Sequence, residues 1–195
     1  MGHPEVKPRR YTVEEYLALE MKNEARHDFY EGWITERPSD TSTHNDIVMN
    51  CLVAFRQALR RNEYRVYTLS ILLVLRENEY YTYPNLMVCG TNEGAGEIAL
   101  IRRPQLLLDV AYPDTDDDRG RKFKLYRQLP SLQHHVIVSQ ATILVEYFRR
   151  NEANQWIITV LTEPEEALVI PELNLMLTLT EIYDETDVVP IRRAQ

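Results

Sequence analysis

Two cysteines in 195 residues, Cys51 and Cys89, stand far apart in apolar surroundings, so neither a disulfide framework nor a cysteine metal site is expected. Two buried thiols in a reducing cytoplasm are the expectation instead. The longest aliphatic run, residues 71–75, is far short of the roughly 20 apolar residues that cross a bilayer. The N-terminus MGHPEVKPRR offers no apolar stretch for a secretory signal, and Val6 stands where a myristoylation signal takes Ser or Thr. A cytoplasmic location and no membrane partner are therefore expected. Glycine is scarce at six residues, and no G-x-x-x-x-G-K-[ST] phosphate loop occurs, so no nucleotide cofactor is expected either.

Positive charge is also in deficit. A formal net charge of −8 excludes a protein that coats nucleic acid through bulk charge. A local basic stripe remains compatible with an acidic whole. The cations are 18 arginines against four lysines, and the arginine fork suits phosphate and surface ion pairs alike. Arg56 and Arg60, four apart, share a helix face that a solvated surface is enough to explain.

What is present is ordinary globular composition, 44% hydrophobic and 27% charged. One domain over 1–195 is expected, with a core at about 43–140, an N-terminal helical part at 11–37 and a C-terminal strand extension at 143–185. Thr12 and Glu15 have the form of a capping box ahead of a helix over 13–21. A turn at Glu31-Gly32 leads to a strand over 33–37, which Pro38-Ser39-Asp40 breaks. Thr43 and Asp46 announce a longer helix to about 61, with Ile47, Cys51, Leu52, Phe55 and Leu59 in one apolar stripe. Strands follow over 65–68, 70–76, 80–82, 86–89, 98–101 and 105–111. A third helix over 115–129 stops at Pro130, and strands return over 134–138, 143–149 and 155–162. In the tail Leu173, Leu175, Leu177 and Leu179 alternate before a turn at Glu181-Ile182-Tyr183. This order predicts a mixed α/β (α+β) fold, and residues 105–138 form a parallel crossover unit. A ligand then belongs at the carboxyl end of the 105–111 strand and the start of the next helix.

The densest polar cluster lies there. Asp109 interrupts the apolar run Leu106-Leu107-Leu108…Val110-Ala111, where a buried carboxylate must be paired, hydrogen-bonded, metal-bound or neutral. A half-buried strand that turns Asp109 to water is the simpler alternative. The acidic residues from Asp114 to Asp118 have the look of a metal trap, yet carboxylates in a first helical turn also cap it and offset its dipole. Arg119, Lys122 and Tyr126 share a helix face, so Lys122 either reaches back to Asp109 or stays solvated. Pro84-Asn85 starts the 86–89 strand, and from local propensity alone it reads as a turn.

Several stretches, in order, carry a resemblance: YTVEEYLALE, RHDFYEG, His44-Asn45, YTYPNLMV, LLLDVAYPDT and DRGRKFKLYRQLPSL. Over roughly 11–185 the chain resembles the bacterial restriction endonuclease family first catalogued as domain of unknown function 820, in the PD-(D/E)XK nuclease superfamily. The resemblance implies a restriction-endonuclease-like core, a central mixed sheet flanked by helices, with added N-terminal helices and C-terminal strands. It also implies a Mg²⁺ or Mn²⁺ site that cuts DNA phosphodiesters, and a homodimer. By position, the family's metal-binding Asp falls on Asn85 and its Glu on Asp109. Its lysine falls on Lys122, its N-terminal acid on Asp28, and its small Ser on Tyr112. His44, Arg119 and Tyr126 are secondary candidates.

Carboxylates on neighbouring strands would hold the ion, which acidifies a bound water and steadies charge on the phosphate. The chain departs from that pattern at the metal. Asn85 is neutral where an anion is expected, and Asp109 and Asp28 are each one carbon shorter than the usual glutamate, about 1.5 Å less reach. Only Lys122 matches cleanly. The expected function is a divalent-metal-dependent endonuclease with a degenerate site. The alternative is a catalytically dead, homodimeric binding module of the same fold, contacting nucleic acid or protein.

Overall fold

The Thr12 side chain accepts from the backbone N–H of Glu15 while Glu15 accepts from that of Thr12, and this reciprocal box opens α1 (Val13–Glu20). The computed structural model describes residues 9–37, 40–68, 71–94, 99–111, 120 and 122–190. Tyr16 of α1 packs on Phe29 of β1 (His27–Tyr30), ring centroids 5.0 Å apart. β1 turns back into β2 (Trp33–Glu36) through Glu31 and Gly32, both in the left-handed region at φ 47° and 90°. A side chain at Gly32 would also press on the Tyr11 carbonyl oxygen at 3.3 Å, so glycine belongs there on two counts. The N-terminal part is thus one helix and a hairpin, not helices alone.

That hairpin belongs to a five-stranded sheet, ordered β2-β1-β5-β4-β7, with β4 (Leu72–Arg76), β5 (Tyr80–Thr82) and β7 (Leu100–Ile101). A second sheet of six strands runs β11-β10-β9-β8-β6-β3. Its members are β3 (Tyr64–Thr68), β6 (Leu86–Gly90), β8 (Pro104–Ala111), β9 (His134–Ser139), β10 (Val145–Arg150) and β11 (Trp156–Leu161). β8 and β9 pair in parallel, as the crossover reading requires, and the other neighbours are antiparallel.

Alternation along β6 and β8 sorts their side chains to two faces. Leu86, Val88, Leu106, Leu108 and Val110 pack with Ile47, Val48, Cys51 and Phe55 of α2 (Ser42–Ala58). Met87, Cys89 and Leu107 meet Tyr126, Leu129 and Leu132 on the other face. The α2 stripe is therefore the expected one, but its start is not: Thr41, rather than Thr43, caps the helix by accepting from His44 N–H at 3.1 Å. The tail leucines 173, 175, 177 and 179 are all buried in the α2-side core. They arrive on a hairpin of β12 (Ala167–Ile170) and β13 (Leu175–Thr178), then α4 (Leu179–Ile182). β12 and α4 were not expected as elements. Among the described residues of the third predicted helix, α3 (Phe123–Tyr126) is the α-helical part, and residues 112–119 and 121 lie outside the described residues.

Candidate functional site

The register of β6 with β8 pairs Leu86 with Leu108, and one step further it sets Asn85 across from Asp109. Asn85 is buried and spends both ends of its amide. Oδ1 accepts from Val110 N–H at 2.7 Å, and Nδ2 bonds His44 Nε2 at 2.9 Å. The Val110 nitrogen can only donate, so it fixes which end of the amide is oxygen. Nδ2 has only hydrogens to offer, so His44 Nε2 accepts and the imidazole proton sits on Nδ1, facing Asp40 at 3.2 Å. Burial pushes the His44 pKa below its ordinary value, and the nearby Arg37 charge adds to that while Asp40 opposes it.

Asp109 is buried at the far end of β8, so its carboxylate does not turn to water. Oδ2 accepts from His135 Nε2 at 3.1 Å, whereas Oδ1 is buried and makes no hydrogen bond among the described residues. Burial pushes the carboxyl up, but the His135 hydrogen bond, the Lys122 charge and the more distant Arg37 charge together hold it below the usual carboxylate value. Lys122 is itself only 7% exposed at the leading edge of α3, so it is not a solvated lysine, and its charge acts on Asp109. One turn on, Tyr126 meets the His135 ring edge-on with centroids 5.1 Å apart, and Phe123 stacks on it at 5.5 Å.

Asp28 stands apart from this centre. On β1, its Oδ1 accepts from Thr82 Oγ1 at 2.8 Å and pairs with Arg37 Nη1 at 3.5 Å. The Arg37 charge is felt by both Asp109 and His44, so Arg37 links Asp28 to the centre. Four candidates converge directly, then: His44, Asn85, Asp109 and Lys122. Tyr126 supports them from below, and Asp28 joins only through Arg37. Tyr112 and Arg119 lie outside the described residues.

The model of the Uma2 family, described as "Putative restriction endonuclease", matches residues 13–180. The chain belongs to the Uma2 family. The uncharacterized protein slr1290 of Synechocystis sp. (strain ATCC 27184 / PCC 6803 / Kazusa) is 24% identical over 175 residues, 89% of this chain and 92% of that one. A second Synechocystis protein, sll1609, is 25% identical over 153 residues, 77% of this chain and 86% of its own. In three dimensions the chain is similar to the crystal structure of a "putative nuclease belonging to DUF820" from Anabaena variabilis ATCC 29413. That likeness has a TM-score of 0.70 and 19% identity, and covers 89% of this chain and 97% of the other. The Uma2 protein thus has the mixed α/β fold of a restriction-endonuclease-like nuclease, and none of its helices among the described residues is long and apolar enough to cross a membrane.

The family reading suggests a divalent metal, and the donor set of this Uma2 protein fits one poorly. Mg²⁺ favours a near-octahedral shell of hard oxygens. Here Asn85 Oδ1 is neutral and already accepts from Val110, and Asp109 Oδ2 already accepts from His135. Among the described residues, no three His, Cys, Asp or Glu side chains gather closely enough to share an ion. The geometry instead makes a hydrogen-bonded chain on one side, His44–Asn85–Val110, with Asp40 facing the imidazole at 3.2 Å, and a neutralised carboxylate on the other, His135–Asp109–Lys122.

Sequence reasoning missed two members of the site, His135 and Arg37. His135 was visible only as half of a His-His pair inside a strand, and nothing local says which of the two faces Asp109. The parallel pairing of β8 with β9 decides it: Leu107 lies beside His135, so odd-numbered residues of both strands share the face. His134 falls on the other face, bonded to Tyr147 Oη at 2.8 Å.

Proposed function

We propose that this Uma2 protein binds DNA through a restriction-endonuclease-like fold whose cutting site no longer supports metal-dependent hydrolysis, and that it does so as a homodimer. One observation carries the reading: the Asn85 amide is consumed by Val110 N–H and His44. At the position where a nuclease of this kind needs an ion-binding anion, the chain has a neutral group with both ends committed to the protein. Asp109 cannot hold the ion alone, because one of its oxygens is taken by His135 and a cation, Lys122, already offsets its charge. Lys122 and Arg37 put two cations at the centre, each beside a carboxylate, and in this reading they help retain a phosphate rather than hydrolyse it.

The metal-dependent reading keeps one observation in its favour, the buried Asp109 Oδ1 with no hydrogen bond. Plasmid nicking separates the two. The purified protein, incubated with supercoiled and single-stranded circular DNA across Mg²⁺ and Mn²⁺ concentrations, is expected to leave both intact. Fluorescence anisotropy should meanwhile report binding that chelator does not alter. Metal-dependent nicking that disappears in Lys122→Ala overturns the proposal and restores the endonuclease.

A further inference from the structure

The C-terminal end of α2 and the turn after it carry Arg56, Arg60 and Arg61, all exposed, while Arg65 of β3 pairs with Cys89 and so projects from the opposite face of the sheet. Among the described residues, none of these three side chains forms an ion pair or a hydrogen bond, and the stretch 56–62 contains no carboxylate. Elsewhere Arg9, Arg76 and Arg102 are each paired with a glutamate, so this chain of net charge −8 has acids enough to neutralise its surface. Cations near a helix C-terminus complement the dipole, and a charged residue on an outer strand such as β3 discourages aggregation. One or two arginines would meet those needs.

Arg61 adds a separate observation. Its φ is 70°, the left-handed region just past the helix end, where glycine is favoured and a side chain is disfavoured. An arginine is held there against local preference, which points to a use for its side chain. Gln57 and Asn62, both exposed beside the arginines, add neutral hydrogen-bonding groups of the kind that position a protein on a phosphate backbone.

We infer that Arg56, Arg60 and Arg61 form an anchoring surface for the phosphate backbone of DNA, remote from the buried centre. The inference deepens the DNA-binding function proposed above and rests on it. Arg56 is twelve residues along α2 from His44, about 18 Å at 1.5 Å per residue, so one rigid helix carries the cleft at its start and the anchor at its end. The set is all arginine, whose fork takes phosphate oxygens in pairs, and it is sequence-independent in what it reads.

Anisotropy titrations across salt, with random-sequence duplex and single-stranded oligonucleotides, test the surface on the full chain. The variant Arg56→Ala/Arg60→Ala/Arg61→Gly is expected to lose at least about tenfold in affinity at low salt. Its log K against log[salt] slope should flatten by roughly 2 to 3, at about 0.9 for each lost contact to duplex phosphate. Arg61→Gly alone should weaken binding while raising Tm by about 2 °C, an opposition that a structural role cannot produce. Unchanged affinity and slope in the triple variant overturn the anchor and leave the proposed function standing. Failure of the wild type to bind either oligonucleotide at about 50 mM salt removes that function and the anchor with it. Polyglutamate that displaces the wild type as effectively as DNA does overturns the anchor in favour of an acidic protein surface.

Discussion

Asn85 gives its amide hydrogen to His44 Nε2 at 2.9 Å, which fixes the imidazole proton on Nδ1. Asn85→Asp reverses that chemistry. A carboxylate at 85 still accepts from Val110 N–H, but its second oxygen faces His44 Nε2 as another acceptor. The imidazole must then carry a proton on Nε2, either by tautomer exchange or by becoming charged. The expected result is a His44 pKa raised relative to the wild type, read from the ring ¹⁵N shifts during an NMR titration. An unmoved titration curve and an unchanged Nδ1 tautomer would sink this account of the pair. Asn85→Ala, by contrast, strands Val110 N–H in the interior and should cost about 1–3 kcal/mol in urea unfolding.

Lys122 and Asp109 are both buried and oppositely charged. Removing one leaves the other as an uncompensated charge, so Lys122→Met should destabilise the protein by about 3 kcal/mol or more. The double variant Asp109→Asn/Lys122→Met is expected to be less damaged than the sum of its singles, with a coupling of about 1–3 kcal/mol. Chemical denaturation of the four proteins measures it. Additive losses would show that the two groups do not interact.

His135→Phe preserves a ring among Phe123, Tyr126 and Phe148 while removing the hydrogen bond to Asp109 Oδ2. With Oδ1 already lacking a hydrogen bond, the carboxylate would then have none from His135 at all. The carboxyl pKa should rise and unfolding free energy fall by about 1–3 kcal/mol near neutral pH. Combining the change with Asp109→Asn should restore most of the loss. Equal destabilisation with and without the carboxylate would mean that packing, not the hydrogen bond, is what the ring supplies.

Two buried histidines set an acid limit. Burial lowers the His44 pKa, and it takes His134 down to about 4 from 6.5. Both are held neutral, so the unfolded chain binds more protons than the folded one below the ordinary histidine pKa. Stability from these groups is therefore full above about pH 6.5 and is lost as pH falls towards the folded values. For His134 the loss amounts to about 3 kcal/mol once the pH reaches about 4. Urea midpoints measured from pH 7.5 to 4 should fall, and the fall should be shallower in His134→Gln. Midpoints independent of pH over that window would contradict the burial argument.

The parts of the cleft legible in the sequence are those where one residue breaks a pattern. Asp109 declares itself because an ionised group interrupts an aliphatic strand, and Lys122 because helical spacing aims it backwards. Asn85 does not, since an amide after proline is ordinary turn chemistry and its meaning lies in a hydrogen bond to Val110, 25 residues away. His135 and Arg37 were hidden for a related reason. Each is placed by which strand lies beside which, a long-range fact that local periodicity does not encode. The same limit applies to β12, where four residues ahead of Pro171 become a strand because β13 folds back on them. The α2 stripe and the alternating tail leucines were readable because each period meets its own core directly.

β11 is the outer strand of the six-stranded sheet, and Ile157, Ile158 and Val160 are 43%, 50% and 50% exposed on it. Residues 156–161 contain no charge, proline or glycine, so the edge has none of the usual devices against pairing. A second copy laid antiparallel along β11 would satisfy its free backbone groups and cover these side chains on both subunits at once, as two-fold symmetry demands. The wild type should therefore sediment as a dimer at micromolar concentration. Ile158→Lys should shift it to monomer with its circular dichroism spectrum unchanged, since the side chain is half exposed and the core does not depend on it. A wild type that sediments as a monomer removes the homodimer, and a variant that remains dimeric moves the interface away from β11.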